Sequence, residues 1–214
     1  MILNKIYLFL TLFITATLAT SATAKNIAES AETVTPLLVG QNVPEVKATD
    51  INGKSVLLSE VINNKPTILF FYRGGWCPFC NVQMGQLQAI EKDLTELGFQ
   101  LIGISTDSAA DLQKSLKDKK LTYTLLSDYH SNVSSEFGLA FFASQKVTDR
   151  YLAKMDLQNP LQKNAAGEQR LVLPAPAVYV LDSDGLVHFQ YVNPNYKVRL
   201  APELLLHAAK LVVE

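Results

Sequence analysis

The sequence has few of the side chains that bind metals or build disulfide frameworks. Its 214 residues include two cysteines and three histidines, and His130, His188 and His207 are not spaced as a metal-binding pair. Two cysteines cannot form a disulfide network, so the fold must depend on its hydrophobic core. The 19 basic and 20 acidic side chains balance, with no run of one sign. This balance argues against a nucleic-acid partner.

The first 24 residues have the pattern of an export signal. Lys5 precedes an apolar run over residues 6–19, and small residues lead to an Ala-x-Ala pattern at residues 22–24. This order is typical of a signal peptide cleaved before Lys25, and the run is short for a membrane span. A retained membrane anchor is the alternative. With cleavage we expect an exported protein, periplasmic if bacterial and otherwise secreted, without stable membrane association.

The rest of the chain alternates apolar strands with amphipathic helices, which predicts one α/β domain. Residues 25–38 lack a clear period and are expected to be a loose leader, so the domain is predicted over 39–214. Thr67–Tyr72 is a continuous β-prone run, typical of a central strand buried on both faces. Apolar side chains recur at intervals of three and four over residues 77–98, which indicates a helix. Further helices are expected at 107–119, 131–137, 147–157 and 202–213, and further strands at 99–104, 123–126, 177–181 and 186–191.

Two other segments shape the predicted architecture. Asn52-Gly53 separates β-prone segments at 43–50 and 55–58, which predicts an N-terminal β-hairpin. Residues 141–171 are less regular, and they either shape access to a substrate or cover an edge of the sheet. Together the elements predict a mixed central β-sheet flanked by helices.

Both cysteines lie in one motif, Trp76-Cys77-Pro78-Phe79-Cys80, which follows the central strand and a Gly-Gly turn. A thiol at a helix N-terminus meets unpaired backbone N–H groups and the positive end of the helix dipole. This setting favours the thiolate, which is the nucleophile in disulfide and peroxide chemistry. Cys77 is therefore expected to attack, and Cys80, one turn inside the helix, to close a disulfide with it.

Two other interpretations of the cysteine pair remain open. A purely structural disulfide would close a very short loop and would restrict the unfolded chain little. A metal site needs more ligands than two thiolates, and copper fits such a pair better than structural zinc. Redox cycling without a cofactor or a bound metal is the favoured interpretation.

The motif and its surroundings resemble the peroxiredoxin-like alkyl hydroperoxide reductase/thiol-specific antioxidant (redoxin) family, which has a thioredoxin-like fold. The similar stretches are 39–58, 68–72, 101–105, 125–128 and 176–185. The resemblance implies a peroxidatic Cys77 and a cis proline at Pro176, packed against a disulfide between Cys77 and Cys80. A proline at the start of a strand also favours a fixed turn, although a trans proline that ends a loop would give the same pattern.

Several positions depart from that family. Its typical members carry a proline and a threonine ahead of the peroxidatic cysteine, where this chain has Phe70 and Gly74. Arg73 or Arg199 could supply the positive charge that supports the thiolate, unless Arg199 only covers the surface. Thr67–Tyr72 also lacks the buried acid that thioredoxins use for proton transfer.

Trp76 is expected beside the thiols, either as part of a surface that binds a partner or as core packing. The first interpretation makes Trp76 a supporting residue of the active site.

These features give two main functional hypotheses and a minor one. In the first, the protein is a thiol peroxidase: Cys77 reduces a hydroperoxide and becomes a sulfenic acid, Cys80 condenses with it, and an external dithiol reduces the disulfide. In the second, it is a thioredoxin-like thiol–disulfide oxidoreductase that acts on protein thiols without peroxidase activity. The third is a copper-binding protein. The resemblance of the flanking segments favours the first hypothesis, and the absent threonine favours the second.

Overall fold

Eleven strands and six α-helices make up the part of the chain that the structure, a computed structural model, describes, namely residues 26–155 and 157–213. The strands are β1 (Lys47–Thr49), β2 (Ser55–Leu57), β3 (Thr67–Tyr72), β4 (Gln100–Ser105), β5 (Thr124–Ser127), β6 (Ala140–Phe142), β7 (Gln162–Lys163), β8 (Gln169–Arg170), β9 (Val172–Pro174), β10 (Ala177–Leu181) and β11 (Val187–Val192). The helices are α1 (Leu58–Ile62), α2 (Pro78–Glu96), α3 (Ala109–Lys119), α4 (Asn132–Glu136), α5 (Gln145–Met155) and α6 (Pro202–Val213). The predicted signal peptide, residues 1–24, lies outside the described residues.

Seven strands form a central mixed sheet in the order β11-β10-β3-β4-β5-β1-β2. The three middle strands β3, β4 and β5 are parallel, and the strands on both sides of them are antiparallel to their neighbours. The hairpin of β1 and β2 is present, with the backbone N–H groups of Asn52 and Lys54 bonded to the Asp50 carboxylate across its turn. The predicted mixed α/β architecture is confirmed.

The central strand β3 contributes side chains to two hydrophobic cores, because successive side chains of a strand point to opposite faces of the sheet. Phe70 and Tyr72 belong to the core under α2, α3 and α6, whereas Leu69 and Phe71 belong to the core under α1 and α4. All six side chains of β3 are buried. This double burial fixes the strand firmly, and the turn at its carboxyl end therefore starts from a rigid position.

The segment before β1 differs from the expected loose leader. Ala28 pairs with the β6 region, since its N–H donates to Ala140 O and its carbonyl accepts from Phe142 N–H. Leu37 is buried in the second core, and its N–H donates to the carbonyl of Phe137. Residues 26–38 thus cover one side of the domain, because they satisfy backbone groups at its edge.

The expected cis peptide at Pro176 is wrong, since no described residue has a cis peptide bond. The chain passes from β9 into β10 without reversing direction. Ala175 N–H donates to Leu139 O at 2.9 Å, and the carbonyl of Pro176 accepts from Asn193 N–H at 3.1 Å. An extended trans segment satisfies both neighbours, and the missing N–H of proline falls where the chain enters the strand.

The irregular section at 141–171 has elements of its own. Helix α5 runs from Gln145 to Met155, slightly earlier than predicted, and the short hairpin of β7 and β8 follows it. Strand β6 pairs with β9 outside the main sheet. Within the described ranges, no helix combines the length and apolar character needed to cross a bilayer.

Candidate active site

The turn between β3 and α2 places both cysteines where the sheet meets the helix. Gly74 has φ +151°, and a Cβ on it would overlap Trp76 Nε1 and lie 2.7 Å from Asp107 Oδ1. Its carbonyl accepts from Cys77 N–H at 3.1 Å, which closes the turn. Position 74 therefore has no room for a side chain. The absent threonine is a consequence of this tight turn.

Cys77 is the N-cap residue of α2, and Pro78 occupies the first helical position. Proline suits this place because its missing N–H would have no partner within the helix anyway. Cys77 is 2% exposed and Cys80 is fully buried, and both are thiols in this structure. The pair is thus formed by the start of one helix, as the motif predicted.

Hydrogen bonding within the pair separates the two thiols chemically. The bond from the Cys80 side chain is the main cause that lowers the pKa of Cys77 to about 6, against the opposing effect of burial. The backbone N–H of Cys80 and the charges of Arg73 and Arg199 lower it further. The same side-chain bond, together with burial, raises the pKa of Cys80 far above its ordinary value. At neutral pH Cys77 is therefore mainly thiolate and Cys80 is a thiol.

Arg73 is a buried cation held by aromatic rings. It is 3% exposed, and its Nη2 donates to the Tyr151 hydroxyl at 2.7 Å. Its guanidinium carbon lies 5.5 Å from the Trp76 ring centroid, 5.1 Å from that of Tyr151 and 4.2 Å from that of Tyr196. Such contacts contribute about 0.5–2 kcal/mol each. No carboxylate of the described residues forms an ion pair with Arg73.

The uncompensated charge of Arg73 is therefore available to an anion beside it. Its Nε has no hydrogen-bond partner among the described residues. The Cys77 thiolate is one anion that this charge stabilises, since Arg73 lowers the pKa of Cys77. The supporting role expected for Arg73 stays a prediction.

Arg199 lies beside the second sulfur and does not simply cover the surface. Its Nη2 donates to Cys80 Sγ at 3.2 Å, and its Nη1 donates to Gln83 Oε1 at 2.8 Å. The Nε group donates to the carbonyl of Tyr196 at 3.0 Å. Arg199 thus contacts Cys80 and also lowers the pKa of Cys77, as Arg73 does, where the sequence offered the two arginines as alternatives.

Aromatic side chains enclose the motif from both sides. Trp76 is half-buried, its ring lies 5.0 Å from that of Tyr151, and it packs against the first core. Phe79 is 38% exposed and meets the Tyr196 ring edge-on at 5.6 Å. Packing beside the thiols is therefore observed for Trp76. Its role in binding a partner stays a prediction.

Asp107 is a buried acid at the site that the sequence analysis missed. Its Oδ2 accepts from Gly75 N–H at 2.7 Å and from Ser105 Oγ at 3.0 Å. Burial raises the pKa of Asp107 to about 6. Its position directly after β4 could have revealed it in the sequence, because the carboxyl ends of the parallel strands β3 and β4 meet at one edge of the sheet. Asp107 thus lies at the end of the strand next to β3, where it binds the turn that leads to the cysteines.

Tyr151 is the second residue that the sequence analysis missed. It comes from α5, within the irregular section, and no local pattern links it to the cysteine motif. A cavity of about 540 Å³ opens beside it, with Arg73 and Tyr196 also in its lining. The section at 141–171 therefore shapes the surroundings of the site.

A metal centre would need ligands in addition to the two thiols. Within residues 26–155 and 157–213, no group of three or more His, Cys, Asp or Glu side chains is arranged to hold a metal ion. The two nearest basic groups, on Arg73 and Arg199, are cations and cannot serve as ligands.

Comparison with protein families gives a match to the AhpC/TSA family model over residues 39–190, which is well over half of the chain. The chain belongs to the AhpC/TSA family. The family predicted from the cysteine motif and its flanks is thereby confirmed, and Cys77 and Cys80 lie inside the AhpC/TSA region.

Curated relatives of this AhpC/TSA chain carry peroxiredoxin names. The putative peroxiredoxin bcp of Haemophilus influenzae is 33% identical over 104 residues, which are 49% of this chain and 66% of the relative. The chloroplastic peroxiredoxin Q of Oryza sativa subsp. japonica is 29% identical over 154 residues, which are 72% of this chain and 58% of the relative. The chain thus spans somewhat less than two thirds of the length of either relative.

Solved structures share the fold. Peroxidoxin BcpB from Mycobacterium tuberculosis aligns with a TM-score of 0.61 at 20% identity, over 81% of this chain and 97% of that one. Reduced Prx3 from Vibrio vulnificus, in complex with hydrogen peroxide, aligns with a TM-score of 0.63 at 14% identity, over 81% and 99%. The predicted thioredoxin-like fold is confirmed.

Proposed function

We propose that this protein is a thiol peroxidase that reduces hydroperoxides through Cys77, with Cys80 as its resolving cysteine. The observation that carries the proposal is the state of Cys77, whose pKa is lowered to about 6 at the N-cap of α2. Membership of the AhpC/TSA family and the peroxiredoxin names of the relatives support it. The nucleophile of this chemistry is thus present at neutral pH before substrate arrives.

In the first step the Cys77 thiolate attacks the terminal oxygen of the hydroperoxide. A sulfur–oxygen bond forms and the oxygen–oxygen bond breaks, so that Cys77 becomes a sulfenic acid. The leaving oxygen departs with the bonding pair and takes up a proton as an alcohol or water. The unpaired positive charge of Arg73 can stabilise the negative charge that develops on this oxygen.

In the second step Cys80 attacks the sulfenic sulfur of Cys77. The sulfur–sulfur bond forms, the sulfur–oxygen bond breaks, and water is released. An external dithiol must then supply two electrons to return both cysteines to thiols. Because Cys77 and Cys80 lie within the first turn of one helix, closure needs little movement of the main chain.

The burial of Cys77 favours a small oxidant over a protein substrate. With 2% of its surface exposed, the Cys77 residue offers little room to a bulky substrate. A hydroperoxide presents two oxygen atoms at its end and needs far less space.

The alternative function is thiol–disulfide exchange with proteins, and one observation favours it. Gly74 leaves the site without the threonine hydroxyl of typical family members, and Phe79 offers an exposed ring next to the cysteines. A partner chain could contact this ring while its disulfide approaches Cys77.

A direct test compares the reduced protein with its Cys77→Ser variant in stopped-flow mixing with hydrogen peroxide and with an organic hydroperoxide. Trp76, the single tryptophan, lies next to Cys77 and serves as the fluorescence probe. We expect a fast change in the wild type that is absent in the variant, and consumption of peroxide when a dithiol is present. Peroxide consumption equal to that of the variant, with reduction of a protein disulfide, would support the alternative.

Export remains part of the proposal. A cleaved signal peptide is supported by three features of the sequence, namely Lys5, the apolar run at 6–19 and the Ala-x-Ala pattern at 22–24. We further propose that the electron donor is a dithiol in the exported compartment. Fractionation of cells that express the full chain, with the N-terminal sequence of the recovered protein, would test both the cleavage before Lys25 and the location.

A further inference from the structure

Arg199 is fixed against the second sulfur of the pair by three hydrogen bonds. Nη2 donates to Cys80 Sγ at 3.2 Å, Nη1 donates to Gln83 Oε1 at 2.8 Å, and Nε donates to the carbonyl of Tyr196 at 3.0 Å. Gln83 is buried and follows Cys80 by one turn of α2. All three nitrogens of the guanidinium are therefore engaged, so that its position relative to Cys80 is well defined.

We propose that Arg199 is a catalytic residue of the resolving half of the cycle, where it stabilises Cys80 as a thiolate. It does so when Cys80 attacks the oxidised Cys77, and again when Cys80 leaves during reduction of the disulfide. The first of these steps rests on the proposed peroxidase function. The second needs only the disulfide. Arg199 touches the reacting sulfur, and hydrogen bonds to a charged acceptor are about twice as strong as neutral ones.

The state of Cys77 controls when this stabilisation takes effect. In the reduced protein Cys80 donates to the Cys77 thiolate, and this bond keeps Cys80 protonated. Oxidation of Cys77 to a sulfenic acid removes the negative charge that accepted the bond, whereas Arg199 stays in place. Cys80 then loses its strongest reason to hold a proton and becomes the nucleophile only after Cys77 has reacted.

The Cys80 sulfur forms a bond to Cys77 in the forward step and loses it in the reverse step. In the forward step the Cys80 thiolate forms the sulfur–sulfur bond, and the sulfur–oxygen pair of Cys77 leaves as hydroxide, which takes up the proton that Cys80 released. In the reverse step a thiolate of the external dithiol attacks Cys77 Sγ. The sulfur–sulfur pair then leaves on Cys80 beside Arg199, and Cys77 is held in a mixed disulfide with the dithiol. The second thiol of the dithiol attacks the dithiol sulfur of that bond, so that Cys77 leaves as a thiolate and the dithiol ends as a disulfide.

Few other groups compete for this role. Among the described residues, Cys77 and Arg199 are the titratable or charged side chains with the largest effects on the pKa of Cys80, and the Tyr72 side chain also interacts with Cys80. Burial raises the pKa of Tyr72 well above its ordinary value, so its hydroxyl is neutral. Arg199 is therefore the cation that faces the Cys80 sulfur directly.

The first experiment titrates Cys80 alone, in the Cys77→Ser background, by its ultraviolet thiolate absorbance. Adding Arg199→Met should raise the pKa of Cys80 by about 1 or more, the usual effect of removing an adjacent opposite charge. Arg199→Lys should restore most of this difference, because it keeps the charge. Lys197→Met is the matched control, since it removes an exposed charge from the same segment, and it should leave the titration unchanged.

The second experiment follows the full chain after one equivalent of hydrogen peroxide, with a dimedone-type reagent that traps the sulfenic acid. In Arg199→Met the Cys77 sulfenic acid should persist about tenfold longer or more, because each pKa step of 1 lowers the thiolate fraction tenfold. Lys197→Met should behave as the wild type. Arg199→Lys is the second control, because it keeps the charge. Its unchanged melting temperature would show that replacing Arg199 does not by itself cause a folding defect.

The outcomes separate this inference from the proposed function. Equal pKa values for Cys80 with and without Arg199 would overturn it. So would an unchanged lifetime of the sulfenic acid. If the protein consumes no peroxide but the pKa difference is found, the peroxidase proposal fails, while the role of Arg199 toward the leaving Cys80 stands.

Discussion

The hydrogen bond from Cys80 should be the largest single support of the Cys77 thiolate, and replacing Cys80 tests it. The pKa of Cys77 is about 6 against an ordinary 9.0, although burial opposes this lowering. Four contributions lower it, and the bond from the Cys80 side chain is the largest. Removing this bond in Cys80→Ala should therefore raise the pKa of Cys77, and we expect a rise of about 0.8, close to the effect of removing one favourable neighbour of a charged group.

A rise of this size is measurable near the pKa itself. At about pH 6 the thiolate fraction of Cys77 should fall from about one half to about one seventh. The single-turnover rate with hydrogen peroxide should then fall about 3.5-fold at that pH and should recover as the pH rises. The ultraviolet absorbance of the thiolate gives the pKa independently of the reaction.

Cys80→Ser is the matched control, because its hydroxyl can still donate to Cys77 although it cannot form a disulfide. We expect its Cys77 pKa to stay close to that of the wild type. If Cys80→Ala and Cys80→Ser titrate at the same pH as the wild type, the hydrogen bond is not what lowers the pKa, and the argument for an asymmetric pair is refuted.

Three further predictions concern the groups around the pair. Arg73→Met should raise the pKa of Cys77 and slow the peroxide reaction about 10–100-fold, as stopped-flow measurement would show. Lys154→Met, which removes an exposed charge from α5, is the control. Gly74→Ala should lower the free energy of unfolding by more than about 2 kcal/mol in a denaturant titration. The added Cβ would overlap Asp107, and the backbone at this position has a positive φ that a residue with a side chain rarely adopts. An unchanged midpoint would contradict the tight turn. Asp107→Asn should remove the free-energy cost of burying a charged carboxylate in the wild type. This cost is absent below about pH 4, where the carboxyl group is protonated in both the folded and the unfolded state, and it grows as the pH rises to about 6. Between these pH values the free energy of unfolding of the variant should therefore rise relative to that of the wild type by up to about 3 kcal/mol, which denaturant titrations at several pH values would show.

The sequence was most informative where the chemistry is local. Cys77, Pro78 and Cys80 lie in one stretch of chain, so the N-cap position, the helix start and the different roles of the two thiols follow from neighbouring residues. The run Thr67–Tyr72 likewise showed its double burial in its composition. These elements could be predicted because each is set by residues a few positions apart.

The predictions for Pro176 and for residues 26–38 failed because each segment contacts residues that lie far away along the chain. Pro176 was expected in a cis turn, but bonds to Leu139 and Asn193 keep the chain extended. Residues 26–38 had no period of their own, yet they are held by β6 and by the end of α4. In both cases the deciding partners lie far away along the chain.

By itself, the sequence determined a reactive cysteine pair at the start of a helix, in an α/β domain of a recognisable family. Only the tertiary structure decided which charges act on which sulfur. Arg73 is held beside Cys77 by Tyr151 from a separate helix, and Arg199 reaches Cys80 from a loop more than a hundred residues later. The physical reason is that electrostatic support depends on distances in space. Folding brings Arg199 to 3.2 Å from Cys80 Sγ and places Arg73 where its charge lowers the pKa of Cys77.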